Sequence, residues 1–185
     1  MPEEPLVYQS YLSFEKCQTL EVGTREREAA NISLRAWWHV IFDPCPTLLK
    51  VCPPDGGDIY QRFLKWADEA RPSMRWNLHL HLFSWLLADE KYASAITDAS
   101  LVEGMAAAAS RWSIFDRSLN AGIVIGCQRL KDRVVGGWKG RSATKPRTIN
   151  MLKVSGDLKL EEFWGCFEVE GSELKSFGPW QKIPW

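Results

Sequence analysis

Three histidines, a PD segment followed by a DEK run, and five cysteines are the residues of this 185-residue chain whose types could do chemistry. His79 and His81 are two apart. On a strand that spacing puts both imidazoles on one face, and with His39 there would be enough nitrogen ligands for a catalytic metal. On a helix, residues two apart diverge, and the flanks here are leucines (LHLHLF). The expectation is therefore structural histidines and no bound metal or other cofactor. Pro54-Asp55 followed by Asp89-Glu90-Lys91 matches the PD…(D/E)xK pattern of metal-dependent nucleases, in which two carboxylates hold Mg²⁺ and a lysine steadies the attacking water. Asp55, Asp89 and Lys91 are the residues that reading would use, although the turn-forming PPDGG accounts for Asp55 by itself.

Nucleophilic catalysis finds no support. There is no GxSxG, and no cysteine sits in a recognisable elbow. Gly136-Gly137-Trp138-Lys139-Gly140 is glycine-rich but follows a strand without opening a helix, which excludes a Walker or dinucleotide loop. The chain reads as a protein that is not an enzyme. Cys17, Cys45, Cys52, Cys127 and Cys166 are odd in number and contain no CxxC, so reduced, mostly buried thiols are expected. MPEEPLVYQSYL lacks a basic region followed by an apolar one, and no run approaches 18 apolar residues. Neither a signal peptide nor a transmembrane segment is expected.

The elements that must position these residues follow from pattern and punctuation. Leu34 to Phe42 (LRAWWHVIF) is aromatic and β-branched and stops at Asp43-Pro44, which reads as a strand; Leu48 to Cys52 reads as another. Asp58 with Gln61 suggests a helix cap before an amphipathic helix over 59–70, ended by Pro72. Residues 75–88 alternate like a strand but are too long for one, and so are assigned to a buried helix. Ser100 with Glu103 opens a third helix, carrying the alanine run 106–109 to about Trp112. Gly122–Leu130 and Arg133–Trp138 form a hairpin. Thr148–Val154 is a further strand, 157–164 a short helix, and 166–169 and 177–183 close the sheet. The fold class is α+β: one compact domain of about three helices on an antiparallel sheet, with residues 1–30 a partly extended, loosely held segment and 31–185 the globular part.

Charge is uneven. Lys and Arg total 23 and Asp and Glu total 23, yet residues 129–149 hold seven basic side chains against Asp132 alone. Arg129, Lys131, Arg133, Lys139, Arg141, Lys145 and Arg147, with Trp138 among them, form a candidate surface for a membrane, a ribonucleoprotein or RNA. A strip of Leu6, Val7, Tyr8, Tyr11 and Leu12 is a candidate for self-association.

The order of elements resembles that of rhabdovirus matrix proteins. The likeness begins at the strand 34–42 and continues through LLKVCPPDGG. It is clearest in DIYQRFLKWADEARPSMRWNLHLHLFSWLLA and returns in EEFWGCFEVEGSELKSFGPWQKI. Chain length is similar to that of the shorter, plant-infecting members. The resemblance implies a viral structural matrix protein in the virion and host cytoplasm. Such a protein would associate with itself, bind nucleoprotein and an anionic membrane, condense the nucleocapsid and support virion assembly and budding. The alternatives are a nucleic-acid-binding module using the basic 129–147 hairpin and loop, and the metal-dependent nuclease.

Overall fold

A computed structural model describes residues 14–140, 147–154, 158–171, 174 and 176–185. The architecture is α+β, with an antiparallel sheet of four strands. The chain divides into two compact units, residues 1–72 and 73–185. The proposed 30/31 boundary falls within a single helix of the first unit.

In the first unit the described residues form α1 (Phe14–Thr19), α2 (Arg25–Phe42), α3 (Thr47–Val51) and α4 (Gly57–Ala70). Two expected strands are helical here. LRAWWHVIF is the second half of α2, which starts nine residues earlier. There the Thr24 side chain accepts from the Arg27 N–H at 3.3 Å, and Glu26 and Glu28 complement the helix N-terminus. Ala30, Leu34, Ile41 and Phe42 are its buried positions, a helical stripe that outweighs local β-propensity. Residues 48–52 are likewise mostly helix, in the single turn of α3. The expected helix 59–70 is present as α4, but its cap is Gly56 rather than Asp58, which lies inside the first turn. Gly56 has φ +73°, and a Cβ there would sit 2.5 Å from the Phe42 ring, so both conformation and space require glycine. The Tyr60 hydroxyl donates to the Leu34 carbonyl and ties α4 to α2, and burial raises its pKa.

The second unit begins with α5 (Leu78–Ala88), the short α6 (Glu90–Ala93) and α7 (Asp98–Phe115). Thr97 caps α7 in a reciprocal box with Ser100, three residues ahead of the expected start. The strands are β1 (Gly122–Cys127), β2 (Arg133–Trp138), β3 (Thr148–Lys153) and β4 (Trp164–Val169), in spatial order β3-β2-β1-β4. α7 lies on one face of the sheet, with α5 behind it. The alanine run makes this approach possible: a Cβ at Gly137 of β2 would come within 2.9 Å of both Ala109 Cβ and the Ala109 carbonyl. The opposite face carries Val124, Val134 and Phe167, with Leu152, Val154 and Trp180 packed against them.

Two expectations near the end of the chain are corrected. Residues 158–163 are irregular rather than helical, and Trp164 already belongs to β4; Asp157, the expected cap, lies outside the described residues. Residues 177–183 form no strand; among the described residues their backbone pairs with β4 at the single bridge between Cys166 and Gln181, while Phe177 and Trp180 pack on the Phe167 ring. Pro179 lacks the N–H needed to extend that pairing.

Candidate functional site

The two edges of the sheet differ in what covers them. Hydrogen bonds beyond the strand ends fix the phase of each ladder. The Val154 N–H donates to the Asp132 carbonyl at 2.8 Å, and the Lys139 N–H to the Ala121 carbonyl at 2.9 Å. By antiparallel alternation, Thr148, Asn150 and Leu152 turn their backbone groups toward β2, whereas Ile149, Met151 and Lys153 turn theirs outward. Among the described residues no strand lies beyond β3. The Ile149 side chain packs toward Gly137 on the α7 face, and Leu152 joins the opposite apolar cluster. Met151 is 55% exposed. On the far edge, β4 turns Trp164, Cys166 and Glu168 outward. There the Cys166 N–H donates to the Gln181 carbonyl at 3.0 Å, and the Gln181 N–H returns a bond of 2.8 Å.

The basic residues singled out from sequence are dispersed over this unit. Arg129, in the 3₁₀ turn after β1, pairs with Asp98 at 3.0 Å; Arg133 reaches Asp98 at 3.6 Å and Asp132 at 3.2 Å. Lys139 donates to Asp116 at 2.6 Å and to the Ser118 carbonyl at 2.8 Å, with its ammonium 4.6 Å from the Trp112 ring centre. Burial acts to raise the Asp116 pKa, but the bonds from Lys139 and Ser118 outweigh it and hold that carboxyl below its ordinary value. Trp138 is half-buried, its indole lying over Gly122 and Gly136. Lys131 is exposed in the turn before β2, and Arg147 is exposed directly before β3. Arg141, Lys145, Leu6, Val7, Tyr8, Tyr11 and Leu12 lie outside the described residues.

The residues weighed for catalysis have local work. Asp55 accepts from the Gly57 N–H at 3.0 Å in its turn, and Asp89 caps α6 by accepting from the Lys91 N–H at 3.0 Å. They belong to different compact units. His39 is exposed on α2 and pairs with Asp43 at 3.2 Å. His79 and His81 are buried in α5. Among the described residues no group of three His, Cys, Asp or Glu is placed to hold a metal. All five cysteines are free and four are buried; burial pushes the Cys166 thiol up to about 12 and raises Cys127 as well, which makes both poor nucleophiles.

One polar cluster was not legible from spacing. Ser73 Oγ donates to Asn77 Oδ1 at 3.0 Å, and Asn77 Nδ2 donates to the Pro184 carbonyl at 2.6 Å. His81 Nε2 lies 3.1 Å from the same oxygen, and the Trp185 ring meets the imidazole edge-on at 5.2 Å. Burial lowers the His81 pKa from 6.5, with the Pro184 carbonyl opposing it. The unfolded chain then takes up a proton at a pH where the folded one does not. The stability linked to His81 is complete above 6.5 and is lost as the pH falls from there toward the depressed value. Thermal melts between pH 7.5 and pH 5 should show a larger drop in Tm for the wild type than for His81→Phe; equal drops would contradict this assignment.

Residues 21–184 match the model of a protein family described as methanobactin biosynthesis cassette protein MbnC-like. A comparison with curated proteins gives no match. The family match overturns the resemblance to rhabdovirus matrix proteins. With it fall the structural role in virion assembly and budding, the nucleocapsid condensation and the location in a virion. The partners inferred alongside them fall too: viral nucleoprotein, an anionic membrane, matrix-like self-association and RNA. The nucleic-acid-binding and nuclease alternatives are replaced by the same finding. The likeness had started from a strand at 34–42, and that segment is helix. Among the described residues no helix is long and apolar enough to cross a membrane.

Proposed function

The chain belongs to the MbnC-like family of methanobactin biosynthesis cassette proteins, and we propose that it serves that biosynthesis without catalysing a reaction, by taking up an extended peptide segment of another cassette product along the free edge of β3. The observation that carries this reading is the asymmetry of the sheet. The edge at β4 is covered by the chain's own residues 180–181, whereas β3 turns the backbone groups of Ile149, Met151 and Lys153 outward, with no further strand beside them among the described residues. Open edges invite strand pairing, and proteins ordinarily blunt them. Here the ends carry Arg147 and Lys153, which discourage indiscriminate pairing, while the apolar Met151 between them stays exposed. An added strand gains main-chain hydrogen bonds of about 0.5–1.5 kcal/mol each, and side chains at alternate positions supply selectivity. The non-catalytic part of the reading is supported by the capping roles of Asp55 and Asp89 and by the raised thiol pKa values of Cys127 and Cys166.

Amide exchange tests the proposal. The full chain is mixed in turn with each other protein and peptide of the cassette, and exchange is followed at the backbone amides. One of them should slow exchange at Ile149, Met151 and Lys153 by about 10-fold or more. Binding that protects other segments and leaves β3 unchanged would refute it.

A further inference from the structure

The covered edge of the sheet has a construction of its own, which goes beyond the reading given for β3. Residues 177–185 hold to the rest of the second unit by separate contacts: Phe177 meets the Phe167 ring at 5.8 Å, Lys182 pairs with Glu162 at 2.6 Å, and three further points bear on the β4 edge. At the first, Trp180 lies on a glycine floor: a Cβ at Gly126 would come within 3.0 Å of its indole and one at Gly165 within 3.1 Å, so the ring rests directly on the backbone of β1 and β4. At the second, Gln181 exchanges two backbone bonds with Cys166. The third is the contact of Pro184 and Trp185 with α5 and the residues just before it.

The third point is built for its purpose. Asn77 and His81 are 0% and 5% exposed, and both face a single acceptor, the Pro184 carbonyl. The bond from Ser73 Oγ to Asn77 Oδ1 sets the amide so that its NH₂ faces that oxygen. The Asn77 NH₂ also lies 3.0 Å from His81 Nε2, so the Asn77 amide, the imidazole and the Pro184 carbonyl form one buried hydrogen-bonded cluster, in which the tautomer sets whether Nε2 accepts from the amide or donates to the oxygen. Trp185 closes over the imidazole while remaining 68% exposed. Between these points there is no ladder. Pro179 offers no N–H two residues before Gln181, and only the middle of β4's outward backbone is paired with this segment. A segment held at points rather than by a continuous ladder opens with a lower free energy than the strands beneath it.

We infer that residues 177–185 are a releasable strap that closes the β4 edge, with the Asn77–His81 clamp on the Pro184 carbonyl, capped by Trp185, as its catch. When the catch opens, the outward backbone of Trp164, Cys166 and Glu168 becomes a second edge able to accept an extended peptide. The strap occupies in cis the place such a peptide would take, and it sets the availability of that edge.

The test is residue-resolved amide exchange by NMR on the full chain and on two variants. His81→Phe removes the imidazole's hydrogen bonds and keeps the bulk; Trp185→Ala alters an exposed side chain that cannot unfold the core. The Cys166 and Gln181 amides should exchange at least about 10-fold faster in one or both variants, while Val134 and Val135 keep wild-type rates. If His81→Phe does not fold, Trp185→Ala decides alone. Unchanged rates at Cys166 and Gln181 would overturn the proposal. So would an equal acceleration at Val134 and Val135, because the segment would then open only with the whole sheet.

Discussion

Trp112→Ala should lower unfolding stability by about 3–5 kcal/mol, the range for removing a large aromatic from a close-packed core. Trp112 is 1% exposed and lies near the end of α7, the helix that covers the sheet. Its indole N–H donates to Glu168 Oε1 at 3.4 Å, and the Lys139 ammonium sits over its ring. Truncation thus leaves a cavity and also deprives Lys139 and Glu168 of a partner each. The consequence extends to the loop after α7, where Asp116 and the Ser118 carbonyl are both bound by Lys139. Urea denaturation followed by far-UV circular dichroism measures the effect. A loss below about 1 kcal/mol would mean that the α7–sheet contact is not the main core of the second unit.

Proline at adjacent positions of β3 should give opposite outcomes. The ladder phase turns the Asn150 N–H toward Gly136 of β2, so Asn150→Pro removes a sheet bond and should cost about 1–3 kcal/mol. The Met151 N–H points outward, where proline on an edge strand is tolerated, so Met151→Pro should shift stability by about 1 kcal/mol or less. Any peptide docked along β3 would lose a central main-chain bond and meet the proline ring, so binding should fall by about 30-fold or more. Thermal melts of both variants check the first half. Equal destabilisation by the two would show that the assigned phase of β3 is wrong.

Much of the second unit was legible in the sequence because its signals were local. The length of 75–88 favoured a helix over the alternation of Trp76, Leu78, Leu80 and Leu82. The hairpin and the 148–154 strand followed from β-branched runs between turns. The α2 segment misled because LRAWWHVIF is strand-like by composition, whereas the helix signals lie in the preceding REREAANIS and in Thr24. The strap failed for the opposite reason: FGPWQKI has the aromatic content of a strand, but Pro179 allows only one bridge.

The candidate site was less visible still. Sequence located β3, but that it is an edge follows from the order β3-β2-β1-β4, which places β1 rather than β3 beside β4. The basic cluster drew attention through charge alone. In space Arg129 and Arg133 share Asp98, and Lys139 is held by Asp116. Asp98 and Asp116 are 31 and 23 residues from Arg129 and Lys139 respectively, beyond any local pattern.

The most direct test of the central claim is a calorimetric titration of the cassette component that protects β3, against the wild type and against Met151→Pro. Affinity should fall by about 30-fold or more in the variant while its melting temperature stays within about 5 °C of wild type. Undiminished affinity in a folded Met151→Pro protein would contradict docking along the β3 edge.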